Sequence, residues 1–335
     1  MWDLPRQGGR PRGGRDGRSY VVGRRLAAVL AVVLAAGAGA CGGTGSAQGS
    51  TGGRAAPSPA AANPGVRAAA QQAERRAPAD APRPDQAIPG SAAELARALE
   101  RNEKALHAAI DEWRRTGDPG RGKPPERVVL HALYQQRIYR HLARNPRLAE
   151  RVRQRLPRRL AASAKANTTA VADLFALTRP VSGPIRFKVR DPEPADVLLK
   201  HFRAAERRFG VDWEILAAIM LVETKFGRVR SPSHTGAQGP MQFMPRTWAA
   251  YGMGGDVHKT RDAIMGAANY LRASGAPRNY DRALWMYNHS NRYVNAVKLH
   301  AREMTRDRRA FYAYYNWQVF VLTTKGDRRL TGPGL

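Results

Sequence analysis

From residue 91 the chain settles into helical spacing. Ser91-Ala92-Ala93-Glu94 has the form of a capping box, and Leu95, Leu99, Leu106, Ile110 and Trp113 recur on one helical face, which predicts an amphipathic helix. The same periodicity predicts helices over 126–144 and 148–177, with their arginines on solvated faces. Prolines and Gly183 interrupt the pattern over 179–194 and mark a boundary. Beyond it the spacing predicts a helix over 195–209, a Gly210-Val211-Asp212 turn, and a second helix in WEILAAIMLVETKF with Asp212 as its N-cap and Gly227 as its stop. From Ile215 to Val222 this helix is apolar on every side, so it is predicted to be buried. Two more helices are expected over 260–274 and 281–305. No alternating strand pattern appears before a short segment at 318–323, so the expected fold class is all-α.

The first 90 residues read differently. Seven arginines within residues 1–25 precede an apolar run from Leu26 to Ala40, the layout of a signal peptide over 1–40. The run is shorter than the ~20 residues a membrane-spanning helix needs. Ala38-Gly39-Ala40-Cys41 resembles a bacterial lipobox, with Ala38 where Leu is usual, and makes Cys41 the candidate for lipidation. The alternative is an ordinary secretory signal beside an incidental cysteine. Arg24-Arg25 admits a twin-arginine signal, although Gly23 and Ala27 fit that pattern poorly. Residues 41–90 are rich in Gly, Ala, Pro, Ser and Gln, which predicts a flexible linker. The expected organisation is therefore a signal peptide (1–40), a linker (41–90), a helical region without recognisable chemistry (91–178), a Pro-rich linker (179–194), a second helical domain (195–325) and a tail (326–335). An exported protein, lipid-anchored at the outer face of the cytoplasmic membrane or in the cell wall, follows from that layout.

Charge adds a constraint. The 335 residues carry 56 Lys plus Arg against 27 Asp plus Glu, a net +29 distributed along the whole chain. Such a surface attracts polyanions, whether nucleic acid, anionic membrane or anionic wall polymer, although the preference for Arg over Lys also fits a GC-rich, actinobacterium-like source. The export layout and the lack of a recognised binding motif argue against nucleic acid. With Cys41 the only cysteine, there is neither a disulfide framework nor a thiolate metal site. No other cluster has metal-ligand spacing, and no cofactor is expected.

The chemistry centres on Glu223. Its apolar surroundings and the negative end of its helix both disfavour the carboxylate and push its pKa upward, as a general acid near neutral pH requires; on this segment alone, a Glu reaching solvent from a helix end is the simpler reading. The loop SHTGAQGPMQFMPRTW then supplies Gly236 and Gly239 for close backbone approach, an amide at Gln242 able to donate and accept, and apolar faces at Met241, Phe243, Met244 and Trp248. Those apolar residues suit either a core or a platform for sugar rings.

Glu223-Thr224 with Phe226-Gly227, then Ser233-His-Thr-Gly-Ala-Gln-Gly-Pro-Met-Gln242, then Tyr287-Asn288 resemble, in order, the signature of the lytic transglycosylases, lysozyme-like enzymes that cleave bacterial peptidoglycan. The likeness extends over about 195–304, and VETKFGRV and QFMP are similar to the membrane-bound B-type branch. Thr224 stands for the usual Ser, Pro240 for Leu, and Met286 and Ser290 for Ala and Gly. The resemblance implies a lysozyme-like helical domain that cleaves the β-1,4 bond between N-acetylmuramic acid and N-acetylglucosamine without water. Glu223 would serve as the single acid and base, giving 1,6-anhydro ends. It implies substrate binding by Ser233, Met241 (through its backbone), Gln242, Phe243, Tyr287 and Asn288, with Tyr287 placed to hydrogen-bond the acid. Asp256, Asp262 and Asp281 sit where capping or solvation is the commoner task for a carboxylate. The alternatives are a hydrolytic muramidase on the same fold and a noncatalytic wall-binding or scaffold protein. Glycan strands are the expected partner, with anionic wall polymers beside them.

Overall fold

The computed structural model describes residues 81–185 and 187–335. The expected signal peptide, Cys41 and the expected linker up to residue 80 lie outside the described residues. Eleven helices and one hairpin are found among those described. The first four helices are α1 (Ala92–Thr116), α2 (Glu126–Arg144), α3 (Pro146–Arg153) and α4 (Arg158–Ala176). They are followed by α5 (Ala195–Phe209), α6 (Trp213–Thr224), α7 (Pro245–Tyr251) and α8 (Thr260–Ala273). The last are α9 (Tyr280–Tyr287), α10 (Asn291–Arg306) and α11 (Arg309–Tyr315), before strands β1 (Phe320–Thr323) and β2 (Gly326–Arg329).

The capping box forms: the Glu94 amide donates to Ser91 Oγ at 3.2 Å, and Ser91 Oγ donates to the Glu94 carboxylate at 2.7 Å. The apolar stripe of α1 is buried from Leu95 to Trp113. The helix expected over 148–177 is two helices, because Pro157 cannot continue α3 and instead opens α4. The helix expected over 281–305 likewise divides at Asn288, whose extended backbone ends α9, while Ser290 Oγ caps α10 by accepting from the Tyr293 amide. Asp212 precedes α6 without a side-chain capping bond. Helices α7 and α11 were not foreseen from the pattern; both are only seven residues long, too short to show a period.

α6 is the axis of the molecule, with every residue from Ile215 to Thr224 buried. It packs against α5 and α10. The 91–178 region is not a separate body: α4 lies along α10, and one hydrophobic core runs from Leu95 through Trp317. Polar bonds cross the same boundary. Gln136 holds the Gln318 backbone from both sides (2.8 and 2.9 Å), Trp317 Nε1 donates to Gln135 Oε1 (3.0 Å), and Tyr314 Oη donates to Asn167 Oδ1 (2.7 Å). Ser163 Oγ donates to the Glu303 carboxylate of α10 at 2.6 Å.

The connecting segments are also bound down. Arg137 donates to the carbonyls of Pro84 and Gln86, so the last residues before α1 lie against α2. The Pro-rich segment bridges Val181 to Thr323 and Val189 to Val229. Residues 326–329, assigned to the tail, form β2, paired antiparallel with β1 from Phe320↔Arg329 to Thr323↔Gly326. Asp327 is gripped by Arg140 and Arg144 of α2 at 2.6–2.8 Å. No helix among the described residues is long and apolar enough to cross a membrane.

Candidate active site

Glu223 occupies the last turn of α6 and is 4% exposed. Burial penalises its carboxylate and raises its pKa to about 8, against the opposing influence of a Tyr293 hydrogen bond and the Lys225 charge. Tyr293 Oη donates to Glu223 Oε1 at 2.8 Å. Tyr287 stacks parallel to Tyr293, with centroids 6.5 Å apart, and donates its own hydroxyl to the Met241 carbonyl at 2.7 Å. The hydroxyl on the acid is thus Tyr293's, on α10, and Tyr287 acts one step removed. Tyr293 falls six residues after Tyr287 across a helix break, so neither the 281–305 pattern nor the Tyr-Asn motif marked it.

The backbone after Glu223 turns sharply. Lys225, Phe226 and Gly227 have φ of 51°, 59° and 80°, so the helix stops two residues before the expected Gly227. Left-handed backbone costs roughly 1–2 kcal/mol per non-Gly residue, offset here by bonds that hold the turn. The amides of Lys225 and Phe226 return to the carbonyls of Leu221 and Met220, and Thr224 Oγ1 accepts from the Gly227 amide at 2.9 Å. The same Thr224 hydroxyl donates to the Pro240 carbonyl at 2.6 Å, latching the glycine-rich loop to the end of α6. Thr224 therefore does hydroxyl chemistry that the usual Ser would also do.

That loop is a tight turn closed by reciprocal backbone bonds between Gln238 and Phe243. Gln242 sits in it with φ 51°, its Nε2 donating to the Gly239 carbonyl at 3.0 Å. Gly239, at φ +72°, is required: a Cβ there would lie 2.0 Å from the Val257 carbonyl oxygen. Gly239→Ala is expected to lower the thermal midpoint by several degrees, corresponding to ~1–3 kcal/mol of backbone strain plus the displacement of 257; an unchanged melting curve would contradict the turn geometry.

The remaining candidates divide. Gln242 Oε1 and Asn288 Oδ1 are both buried without a hydrogen-bond partner, and such atoms demand a donor. Ser233, 6% exposed, spends its hydroxyl on the Ala237 amide and Thr235 Oγ1, which shapes the loop. Phe243 is 3% exposed and packs edge-on against Trp248, Tyr270 and Tyr287, so it supports the tyrosines and offers no open face to a sugar ring. Met241 is fully buried and contributes its carbonyl to Tyr287. Apolar surface is instead exposed at Met244, Met253, Trp285 and Met286. Asp256 and Asp262 cap local backbone, and Asp281 pairs with Lys298. Among the described residues no three His, Cys, Asp or Glu side chains converge as a metal site.

Residues 200–307, which contain Glu223, Tyr293 and the loop between them, match the Transglycosylase SLT domain family. The chain carries an SLT domain. The SLT domain is lysozyme-like and sits within an all-α structure. Over 82 residues the chain is 35% identical to the Membrane-bound lytic murein transglycosylase F of Thiobacillus denitrificans (strain ATCC 25259 / T1). That alignment covers 24% of this chain and 17% of the relative. No solved structure matches.

Proposed function

We propose that this protein is a peptidoglycan lytic transglycosylase that cleaves the N-acetylmuramic acid to N-acetylglucosamine β-1,4 bond. The observation that carries the reading is a buried carboxylic acid, Glu223, in an SLT domain, kept protonated to about pH 8 and aimed by Tyr293. In the first step Glu223 gives its proton to the bridging oxygen as the C1–O bond breaks. Its new carboxylate keeps the Tyr293 hydrogen bond, which strengthens when the acceptor is charged. The carboxylate then takes the proton of the muramoyl C6 hydroxyl while that oxygen bonds to C1. The acid is thereby regenerated, a 1,6-anhydro end is formed, and no water or cofactor is consumed. Gln242 Oε1 and Asn288 Oδ1 would accept hydroxyl or acetamido N–H groups of the neighbouring sugar.

Ordinary glycosidases add a second carboxyl group within ~10 Å of the first. Among the described residues the charge that shifts Glu223 is that of Lys225, and no second carboxylate contributes to the shift, which favours the single-residue route over hydrolysis. Export, a lipid anchor at Cys41, and attraction of the basic surface to anionic wall polymers complete the proposal. The test is the mass of muropeptides released from purified peptidoglycan. Anhydro-muramoyl ends are expected; products heavier by one water make the enzyme a muramidase, and binding without release makes it a wall-binding protein.

A further inference from the structure

A second site lies away from Glu223. A cavity of about 450 Å3 opens between the 117–125 loop, the Pro-rich segment and residues 331–333, within the ~300–1,000 Å3 range of small-molecule sites. None of its lining residues belongs to the Glu223 cluster.

Arg228 forms one wall and is 6% exposed. Its Nη1 donates to the Lys225 carbonyl at 3.2 Å, and its guanidinium lies 5.3 Å from the Tyr315 ring centroid. No carboxylate of the described residues forms an ion pair with it. The nearby acid, Asp191, is exposed and pairs with Lys123 at 3.2 Å. A buried guanidinium without an anion is expensive, and its planar donor fork suits a carboxylate. The neighbour of Tyr315 supplies the complement. Asn316 is fully buried and lines the cavity; its Nδ2 donates to the Tyr312 carbonyl at 2.9 Å, while its Oδ1 has no partner. Pro192, Pro194 and Val129 add apolar wall.

A ligand that satisfies this wall needs a carboxylate for Arg228, an N–H for Asn316 and a small aliphatic body. A phosphate dianion brings no N–H, and the other charges lining the cavity balance, Arg121 and Lys123 against Glu126 and Asp191, so they do not favour a polyanion. We propose that this cavity binds the free C-terminal carboxylate of a short peptide, with Arg228 on the carboxylate and Asn316 Oδ1 accepting the terminal amide N–H.

The experiment is calorimetric titration of the full-length chain with N-acetyl-D-alanyl-D-alanine, N-acetyl-L-alanyl-L-alanine and their C-terminal amides. Saturable binding of at least one acid is expected, at least tenfold tighter than its amide. Arg228→Gln should weaken it tenfold or more. Val129→Trp, which fills the cavity without touching Arg228, should do the same and decides the matter if Arg228→Gln fails to fold. Glu223→Gln should bind as the unmodified chain does, which keeps this site's test separate from glycan cleavage. Preference for the D,D acid assigns the site to wall-type stem peptides, and preference for the L,L acid to protein C-termini. Equal binding of acid and amide, no saturable binding of either acid, or unchanged binding by Val129→Trp overturns the proposal.

Discussion

Glu223→Gln is expected to cut muropeptide release from purified peptidoglycan by ~10²–10⁴-fold, the usual range for loss of a positioned general acid, with the fold intact. The substitution keeps the side-chain shape and an oxygen that Tyr293 Oη can still reach. It removes a group that burial disfavours as an anion. The folded pKa of Glu223, about 8, lies above its ordinary value of 4.5. Its contribution to stability is therefore complete below about pH 4.5 and is lost as the pH rises through about 8. The Gln variant has no such loss, so its thermal midpoint should gain on that of the unmodified chain between those limits. A variant that melts early at every pH would mean that the carboxyl braces the fold, and a variant with full activity would remove Glu223 from the mechanism.

The pH profile is the second large effect. In the proposed mechanism cleavage requires the protonated acid, so the rate should hold toward neutrality and fall about tenfold per unit above pH 8. Two neighbours favour the carboxylate: the Tyr293 hydroxyl and the Lys225 charge. Removing either raises the acid's pKa, and the alkaline limb should move upward in Tyr293→Phe and in Lys225→Met. Lys225 is itself drawn down to about 7 by burial among Arg140 and Arg228. Its pull on Glu223 therefore fades across the neutral range, so Lys225→Met should move the limb less than Tyr293→Phe does. Rate profiles against pH, at saturating substrate, check both. A limb that stays at the same pH in Tyr293→Phe would separate the hydrogen bond from the acid's titration.

Much of this was legible in the residues. The uninterrupted apolar run from Ile215 to Val222 dictated a buried helix, whereas a functional acid at its end was legible only together with the loop that follows. The glycines and Gln242 marked the loop, because their use depends on local backbone geometry that sequence encodes directly. Tyr293 was not legible. Its aim at Glu223 depends on how α10 crosses α6, and that crossing is set by packing across 70 residues of chain. The burial of Phe243 was not legible for a related reason: a partner that buries a ring is invisible until Trp248, Tyr270 and Tyr287 are brought around it. Independence of the 91–178 region could not be judged from periodicity either, since an amphipathic stripe does not say which surface will cover it.

The shared core is larger than the segment that matches the family. The stretch that matches the family begins at 200 and ends at 307, yet α10 inside it is backed by α4 outside it, and Glu303 is held by Ser163. The likeness covers a segment, while the packing holds a larger solid. Tyr293 keeps its bearing on the acid only while α4, a helix with no part in the family match, stays behind α10. Substitutions in that outer helix would thus reach Tyr293 and Glu223 without altering a residue of the matched segment.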